Sequence, residues 1–305
     1  MPKLFKYIGY FALFVFSFFI FLYWTFPYGI LKERLVGEVE QQLGGEYDVR
    51  IGDLSPSFFT GVVLKQVKIL KHEGSEVKTI WEAQKVKVRA SLFSLIFGRT
   101  SVTFSAKTKS SSVSGSFSTN EDGFNFTGDL SNFNLGDLGT FKGKGGVNLF
   151  SAIDGPIKLS INKRQVIQSS GNADFSLADI KSSAGDLELQ NWRTLKLPDL
   201  VYSKGSGSNL KIEISKGQIH IKEFKLADGD LVLDLNGDVF MSSTFKNYRL
   251  NLKGVFSVTP RLEEAIKDEL YFVRGEKQAD GTYPLTITGR IGDPDIKIGD
   301  FTLPL

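Results

Sequence analysis

The sequence predicts a mainly β protein in which a single N-terminal transmembrane helix precedes a long, curled antiparallel β-sheet with two or three short helices. The 25 residues between Lys6 and Lys32 carry no charge. Beyond Gly45, apolar and polar residues alternate in more than a dozen short segments, which is the period of strands with one apolar face. The 31 glycines and only 9 prolines favour tight turns and bends between such strands.

The first element is a membrane-spanning helix, predicted over residues 8–28. Its apolar core is long enough, because about 20 helical residues cross the hydrocarbon of a bilayer. Lys3 and Lys6 precede it, so the positive-inside rule predicts that residues 1–7 are cytoplasmic. A cleaved signal peptide is disfavoured, because the apolar run is too long and bulky residues follow it. Residues 29–305 contain no second long apolar run. They are predicted to form one β-rich domain on the side of the membrane opposite the cytoplasmic N-terminus.

Helices are also predicted outside the membrane. Residues 28–44 carry an apolar stripe that should pack on the first strands, and residues 260–272 form a second amphipathic helix capped by Thr259. A third, short apolar turn is predicted over residues 92–98. The two stripes are Leu31, Leu35, Val39 and Leu43, and Leu262, Ile266 and Leu270.

The strands carry two further signals of bending. A change of apolar parity at Lys65–Gln66 predicts a β-bulge. An apolar-x-Gly pattern recurs at Gly115, Gly237, Gly254 and Gly289. Glycine inside a strand commonly marks a bend or a close backbone approach, so repeated glycines would curl the sheet into a trough.

The inside of this trough is the candidate functional surface. One alternative is that side chains fill it completely and form a packed core. The other is an elongated apolar groove that accepts acyl chains or a hydrophobic partner segment. The predicted lining consists of Leu233, Leu235, Leu250, Leu252, Ile212 and Ile214.

No catalytic, cofactor-binding or metal-ligating residues are predicted. The chain has no cysteine, and its two histidines, His72 and His220, are far apart and lack a nucleophile–base–acid spacing. The run ADGDLVLDLNGD invites comparison with a calcium loop, but its leucines have strand spacing, which favours a turn followed by a strand. The net charge of +3 does not favour nucleic acid as a partner.

Longer stretches carry a resemblance. After the two N-terminal helices come LSPSFFTGVVLKQVKIL and VKVRASLFSLIFGR, and the C-terminal half contains GQIHIKEFKLADGDLVLDLNGDV and LTITGRIGDPDIKI. Over nearly its full length the chain resembles the type II secretion system protein N family (GspN), in the longer form found outside the enterobacterial type. The same organisation is similar, more distantly, to AsmA-like and TamB-like envelope proteins, whose curled sheets are implicated in lipid passage.

The resemblance implies a function. It implies a non-enzymatic accessory component of the type II secretion system, held by one span in the inner membrane of a Gram-negative bacterium. The bulk of the chain would lie in the periplasm and contact other inner-membrane or periplasmic secretion subunits. The alternative is an AsmA-like envelope protein that binds or transfers phospholipid. The family supplies no catalytic motif, which also disfavours a periplasmic hydrolase.

Overall fold

In the computed structural model the chain forms two compact units, Met1–Ala90 and Ser91–Leu305. The first combines two helices with three antiparallel strands, and the second is dominated by antiparallel strands, so the predicted mainly β class is confirmed for the chain. The predicted turn over 92–98 lies outside the described residues. The structure describes residues 2–25, 27–43, 47–57, 60–73, 76–91, 100–119, 122–137, 149–162, 164–188, 194–205, 207–242 and 244–303.

The first unit begins with two helices, α1 (Pro2–Thr25) and α2 (Tyr28–Leu43). The large apolar side chains described along α1, among them Phe11, Phe14 and Phe21, are exposed. Among the residues that the structure describes, no helix is long and apolar enough to cross a membrane.

Helix α2 packs on the first strand, but not through the whole predicted stripe. Val36 packs against the buried residues of the sheet, whereas Val39 is 40% exposed. A repeat of four residues drifts by about 40° per step on a helix of 3.6 residues per turn, which turns Val39 out of the contact. Two polar side chains of α2 also bond to β1. The Glu40 carboxylate accepts a hydrogen bond from the Val49 N–H at 2.8 Å, and Lys32 Nζ donates one to the Gly52 carbonyl at 3.1 Å.

Three antiparallel strands follow: β1 (Tyr47–Ser57), β2 (Gly61–Glu73) and β3 (Glu76–Ala90). Their buried core contains Val49, Ile51 and Val67. The bulge predicted at Lys65–Gln66 is misplaced. Gln66 does have a left-handed φ of 54°, but the register of β2 against β3 shifts between Ile69 and Leu70.

The second unit is built on one antiparallel sheet. Within this unit the strand order runs β4-β5-β6-β7-β8-β12-β13-β14-β15-β16-β17-β18, and β11 pairs with β8. β9 and β10 form a separate hairpin. The strands are β4 (Thr100–Lys107), β5 (Ser112–Thr119), β6 (Gly123–Phe133), β7 (Leu149–Asn162), β8 (Ser170–Ser182), β9 (Gly185–Glu188), β10 (Thr194–Leu197), β11 (Leu200–Val201), β12 (Ser208–Ser215), β13 (Gln218–Leu226), β14 (Leu231–Phe240), β15 (Arg249–Val258), β16 (Tyr283–Arg290), β17 (Asp293–Ile298) and β18 (Phe301–Thr302).

The helix predicted over 260–272 is broken. It consists of α3 (Pro260–Ala265), α4 (Lys267–Leu270) and a 3₁₀ turn over Tyr271–Glu276. The break falls at Ile266, whose φ of −115° and ψ of 31° are not helical. Packing takes precedence over helical continuity here, because Leu270, Ile266 and Val273 all contact the core at the end of the sheet.

Tyr283 lies at the centre of that core. Its side chain is fully buried, and its ring stacks on Phe256 with the centroids 5.2 Å apart. The hydroxyl has no hydrogen-bond partner in the described part of the chain. A buried hydroxyl without a partner lowers stability, because it has lost its bonds to water.

Replacing Tyr283 with Phe should therefore stabilise the protein. The free energy of unfolding should rise by about 1–2 kcal/mol, because the unpaired hydroxyl is removed and the stack on Phe256 is kept. Chemical denaturation measures this change. Tyr271→Phe is the control, since Tyr271 is 69% exposed and its variant should match the wild type. A loss of stability in Tyr283→Phe alone would contradict this assignment.

The turn before β14 confirms the predicted turn followed by a strand. Asp228 adopts a left-handed φ of 59°, and β14 begins at Leu231. The Asp230 carboxylate accepts hydrogen bonds from the Val201 N–H at 3.0 Å and the Thr259 hydroxyl at 3.1 Å, and Arg261 lies 3.6 Å away. Asp230 thus joins β11, this turn and the start of α3.

Replacing Asp230 with Ala should lower the free energy of unfolding by about 2–3 kcal/mol, because two donors lose an ionised acceptor. Denaturant titration of both proteins measures the loss. Calcium up to about 1 mM should not shift either midpoint, since these contacts occupy the carboxylate without an ion. A midpoint that rises with micromolar calcium in the wild type, but not in the variant, would contradict this interpretation.

Ser203, in the connector before β12, and Ser208, the first residue of β12, lie in a stretch of polar composition. Ser203 and Ser208 are almost completely buried. The Ser203 hydroxyl donates to the Leu177 carbonyl at 3.1 Å, and the Ser208 hydroxyl donates to Ser203 Oγ at 2.9 Å. Small hydroxyl side chains here satisfy backbone groups that the loop would otherwise bury without partners.

Candidate functional site

The cross-strand registers of the second unit assemble an apolar face. One row of paired residues crosses eleven strands, and all its members are apolar or glycine. Directly paired residues on neighbouring strands point to the same side of a sheet, so the row lies on one face. From β4 to β17 it runs Phe104, Gly115, Gly128, Ile157, Ala173, Ile212, Ile221, Gly237, Leu252, Ile287 and Ile296.

A second row lies beside the first and crosses nine strands. It is also free of polar side chains. Its members are Val102, Phe117, Phe126, Leu159, Gly171, Ile214, Ile219, Val239 and Leu250. We call the surface formed by these two rows the apolar face.

The six predicted lining residues lie on this side of the sheet. Leu235 and Leu252 are buried with Val239 in one cluster, and Leu233 and Leu250 pack against it. Ile212 and Ile214 pair with Ile221 and Ile219, which pack against the same cluster. Their occupancy by a ligand stays a prediction.

The apolar face is covered unequally. Near its C-terminal end, the segment over α3, α4 and the 3₁₀ turn packs on β15, β16 and β17 through the core around Tyr283. Over β4–β8, the helical elements with comparable contacts in the described part of the chain are two 3₁₀ turns against β7, Leu135–Asp137 and Val166–Gln168. The large side chains there are only half-buried: Phe104, Phe117, Phe126, Ile157, Leu159 and Phe175. Half-buried apolar side chains in a continuous set mark a surface that can bind a hydrophobic partner.

Glycines shape this part of the face. Gly115 pairs with Gly128 between Phe104 and Ile157. A Cβ on Gly128 would lie 2.9 Å from Phe126 Cζ, so the ring covers the missing side chain. Phe126 also stacks with Phe104, with the centroids 6.0 Å apart. The predicted lining does not include Phe104, Phe126 or Gly128, although aromatic residues in strands next to the glycine pattern were a signal for them.

The opposite face is polar. His220 Nδ1 lies 2.5 Å from Asp238 Oδ1, and Lys222 pairs with Glu213 at 3.2 Å. Hydrogen bonds from Asn209 and from Lys211 lower the pKa of Glu223 below its usual value. No described cluster of three or more His, Cys, Asp and Glu side chains has the arrangement of a metal site.

No protein-family model, no curated protein and no solved structure matches the chain. The family named from the sequence motifs therefore stays a prediction. The arrangement supports binding along an apolar surface: the face offers aliphatic and aromatic carbon over many strands, and the donors and acceptors lie on the other side of the sheet.

Proposed function

We propose that the chain is a non-enzymatic accessory component of the type II secretion system in the bacterial inner membrane. Residues 1–7 would be cytoplasmic, residues 8–28 would cross the membrane, and residues 29–305 would lie in the periplasm. The resemblance of the GQIHIKEFKLADGDLVLDLNGDV stretch supports the family. The observation that carries a binding role is the half-buried apolar face over β4–β8.

The face fits a protein partner that is apolar along its length, such as the hydrophobic segment of another secretion subunit. The backbone donors and acceptors of β5–β8 are engaged in ladders on both sides, so the partner gains contacts to side chains rather than strand pairing. Its affinity would come from removing the exposed parts of Phe117, Phe126 and Phe175 from water.

Photo-cross-linking in cells tests this proposal on the full chain. A photoreactive phenylalanine at Phe175 lies on the apolar side, whereas the same residue at Ser176 lies on the exposed polar side of the same strand. We expect position 175, but not 176, to cross-link to an inner-membrane or periplasmic secretion subunit. Equal labelling at both positions, or secretion that is unaffected by deleting the gene, would contradict the proposal.

A second candidate is an AsmA-like envelope protein that binds or transfers phospholipid. The half-buried part of the apolar row over β4–β7, from Phe104 to Ile157, favours it, because an acyl chain can lie along such a surface without leaving a polar group unpaired. In cells labelled with radioactive phosphate, position 175 would then cross-link to phospholipid. A lipid adduct without a protein adduct would favour this candidate over the secretion component.

The membrane topology has its own test. Alkaline phosphatase fused after Leu305 should be active in a Gram-negative host if residues 29–305 lie in the periplasm. The uncleaved protein should keep its N-terminal residues. An inactive fusion, or a mature N-terminus near residue 27, would contradict the proposed anchor.

A further inference from the structure

An open groove of about 810 Å³ crosses β6, β7, β8, β12 and β13. Exposed polar side chains at alternate positions line it and show on which face of the sheet it lies. Examples are Asn125 and Thr127 of β6 and Lys158 and Ser160 of β7. Thr127 pairs with Lys158, which pairs with Asn172. Residues of the apolar rows, including Ile212 and Ile214, also line it, but the lining stretches 125–127, 158–160, 170–174 and 211–215 each begin and end on a polar-side residue. The groove therefore lies on the polar side of the sheet, opposite the apolar face.

The lining is rich in hydrogen-bonding groups without protein partners. Within the described part of the chain, the side chains of Asn125, Thr127, Lys158, Ser160 and Asn172 make no hydrogen bond or ion pair with another residue. Amide and hydroxyl groups offer donors and acceptors together. A ligand that displaces their water must supply matching groups at similar density, or binding leaves polar atoms unpaired.

The charges around the groove nearly cancel. Lys211 forms an ion pair with Glu223 at 3.3 Å, and Lys222 forms one with Glu213 at 3.2 Å. Lys158 and Asp174 remain, with opposite signs. An anionic polymer or a phosphorylated ligand would meet no net positive potential, so the balance favours a ligand without charge.

We propose that this groove binds a neutral, polyhydroxylated ligand, namely an oligosaccharide. Hydroxyl groups of sugars both donate and accept, as Asn, Ser and Thr side chains do. Four strand spacings of about 4.8 Å make the groove about 19 Å wide, which accommodates several sugar units. The methylene stems of Lys158, Lys211 and Lys222 offer apolar contact to the C–H faces of the rings. This site is independent of the proposed secretion role and lies on the other face.

Calorimetric titration of the full chain in mild detergent tests the proposal, with chitotetraose and maltotetraose as probes. We expect saturable binding of at least one, at about 0.1–1 mM as suits an open site. Asn172→Ala should weaken that binding at least about tenfold, because it removes the amide at the middle of the groove. Asn251→Ala is the matched control: Asn251 is also exposed and lies in the same polar row, but on β15 outside the groove.

The outcomes are distinct. Binding that is lost in Asn172→Ala and kept in Asn251→Ala supports the site. The absence of saturable binding by either tetrasaccharide overturns it, as does an equal loss in both variants. A lysine-specific cross-linker that joins Lys158 to another protein, with neither sugar bound, would also overturn it and identify a protein interface. None of these results changes the expected cross-linking at position 175.

Discussion

Replacing Leu235 with Asp should unfold the second unit. Leu235 is 4% exposed at the centre of the cluster formed with Val239 and Leu252. It lies between Phe224 and Gly254 on the neighbouring strands, so an aspartate there would be buried. Loss of the side chain alone costs about 2–5 kcal/mol, and a buried carboxylate without a partner adds to that loss. The sum is comparable with the whole stability of a typical domain.

The neighbouring residue provides the control for Leu235→Asp. Asn236 is exposed on the polar face, so Asn236→Asp adds the same charge one position away and should leave the denaturation midpoint nearly unchanged. Leu235→Ala provides a foldable variant and should lose about 3 kcal/mol. Circular dichroism and denaturant titration measure all three. Equal stability of the two Asp variants would show that the face of β14 is assigned wrongly.

Replacing Gly237 with Ala should destabilise the second unit by about 2–4 kcal/mol. Gly237 has a φ of +136°, which L residues rarely adopt. An added Cβ would collide with the Asn251 carbonyl and would lie 2.9 Å from Leu252 Cα on β15. Relief requires β14 and β15 to separate at the position where Leu252 enters the core, so strain and lost packing act together.

A second glycine separates backbone strain from a general effect of alanine. No atom lies within 4 Å of a Cβ on Gly275, which has no unusual φ, so Gly275→Ala should change the free energy of unfolding by less than about 0.5 kcal/mol. The denaturation midpoints of the two variants give the comparison. If Gly237→Ala proved as stable as Gly275→Ala, the positive φ at Gly237 would not depend on glycine.

Leu235 and Gly237 both lie in the part of β14 that forms the apolar face. Gly237 belongs to the row that crosses eleven strands, and Leu235 lies beside it in the buried cluster. A variant that keeps the fold but alters this row would change the surface to which we assign partner binding. The half-buried aromatic residues over β4–β8 are therefore the better positions for functional substitution, because their side chains contribute less to the core.

The sequence by itself determined the mainly β class and most of the strands. Period-two alternation marks which residues share a face, so Leu233 and Leu235 could be assigned to one side before any pairing was known. The repeated glycine pattern predicted bends, and the structure gives Gly237 and Gly289 positive φ values. These signals are local: each depends on a few neighbouring residues and on the geometry of an extended chain.

The tertiary structure alone decided the strand register, the break in the late helix and the burial of polar residues. The register joined Ile212 to Ile221 and made one row from separate strands, because pairing depends on contacts distant in sequence. Packing broke the late helix at Ile266, because Ile266, Leu270 and Val273 contact the core around Tyr283. It also buried Ser203 in a segment of polar composition, where its hydroxyl donates to the Leu177 carbonyl of β8. Burial and hydrogen bonding between distant segments settle such choices, and local periodicity carries no information about them.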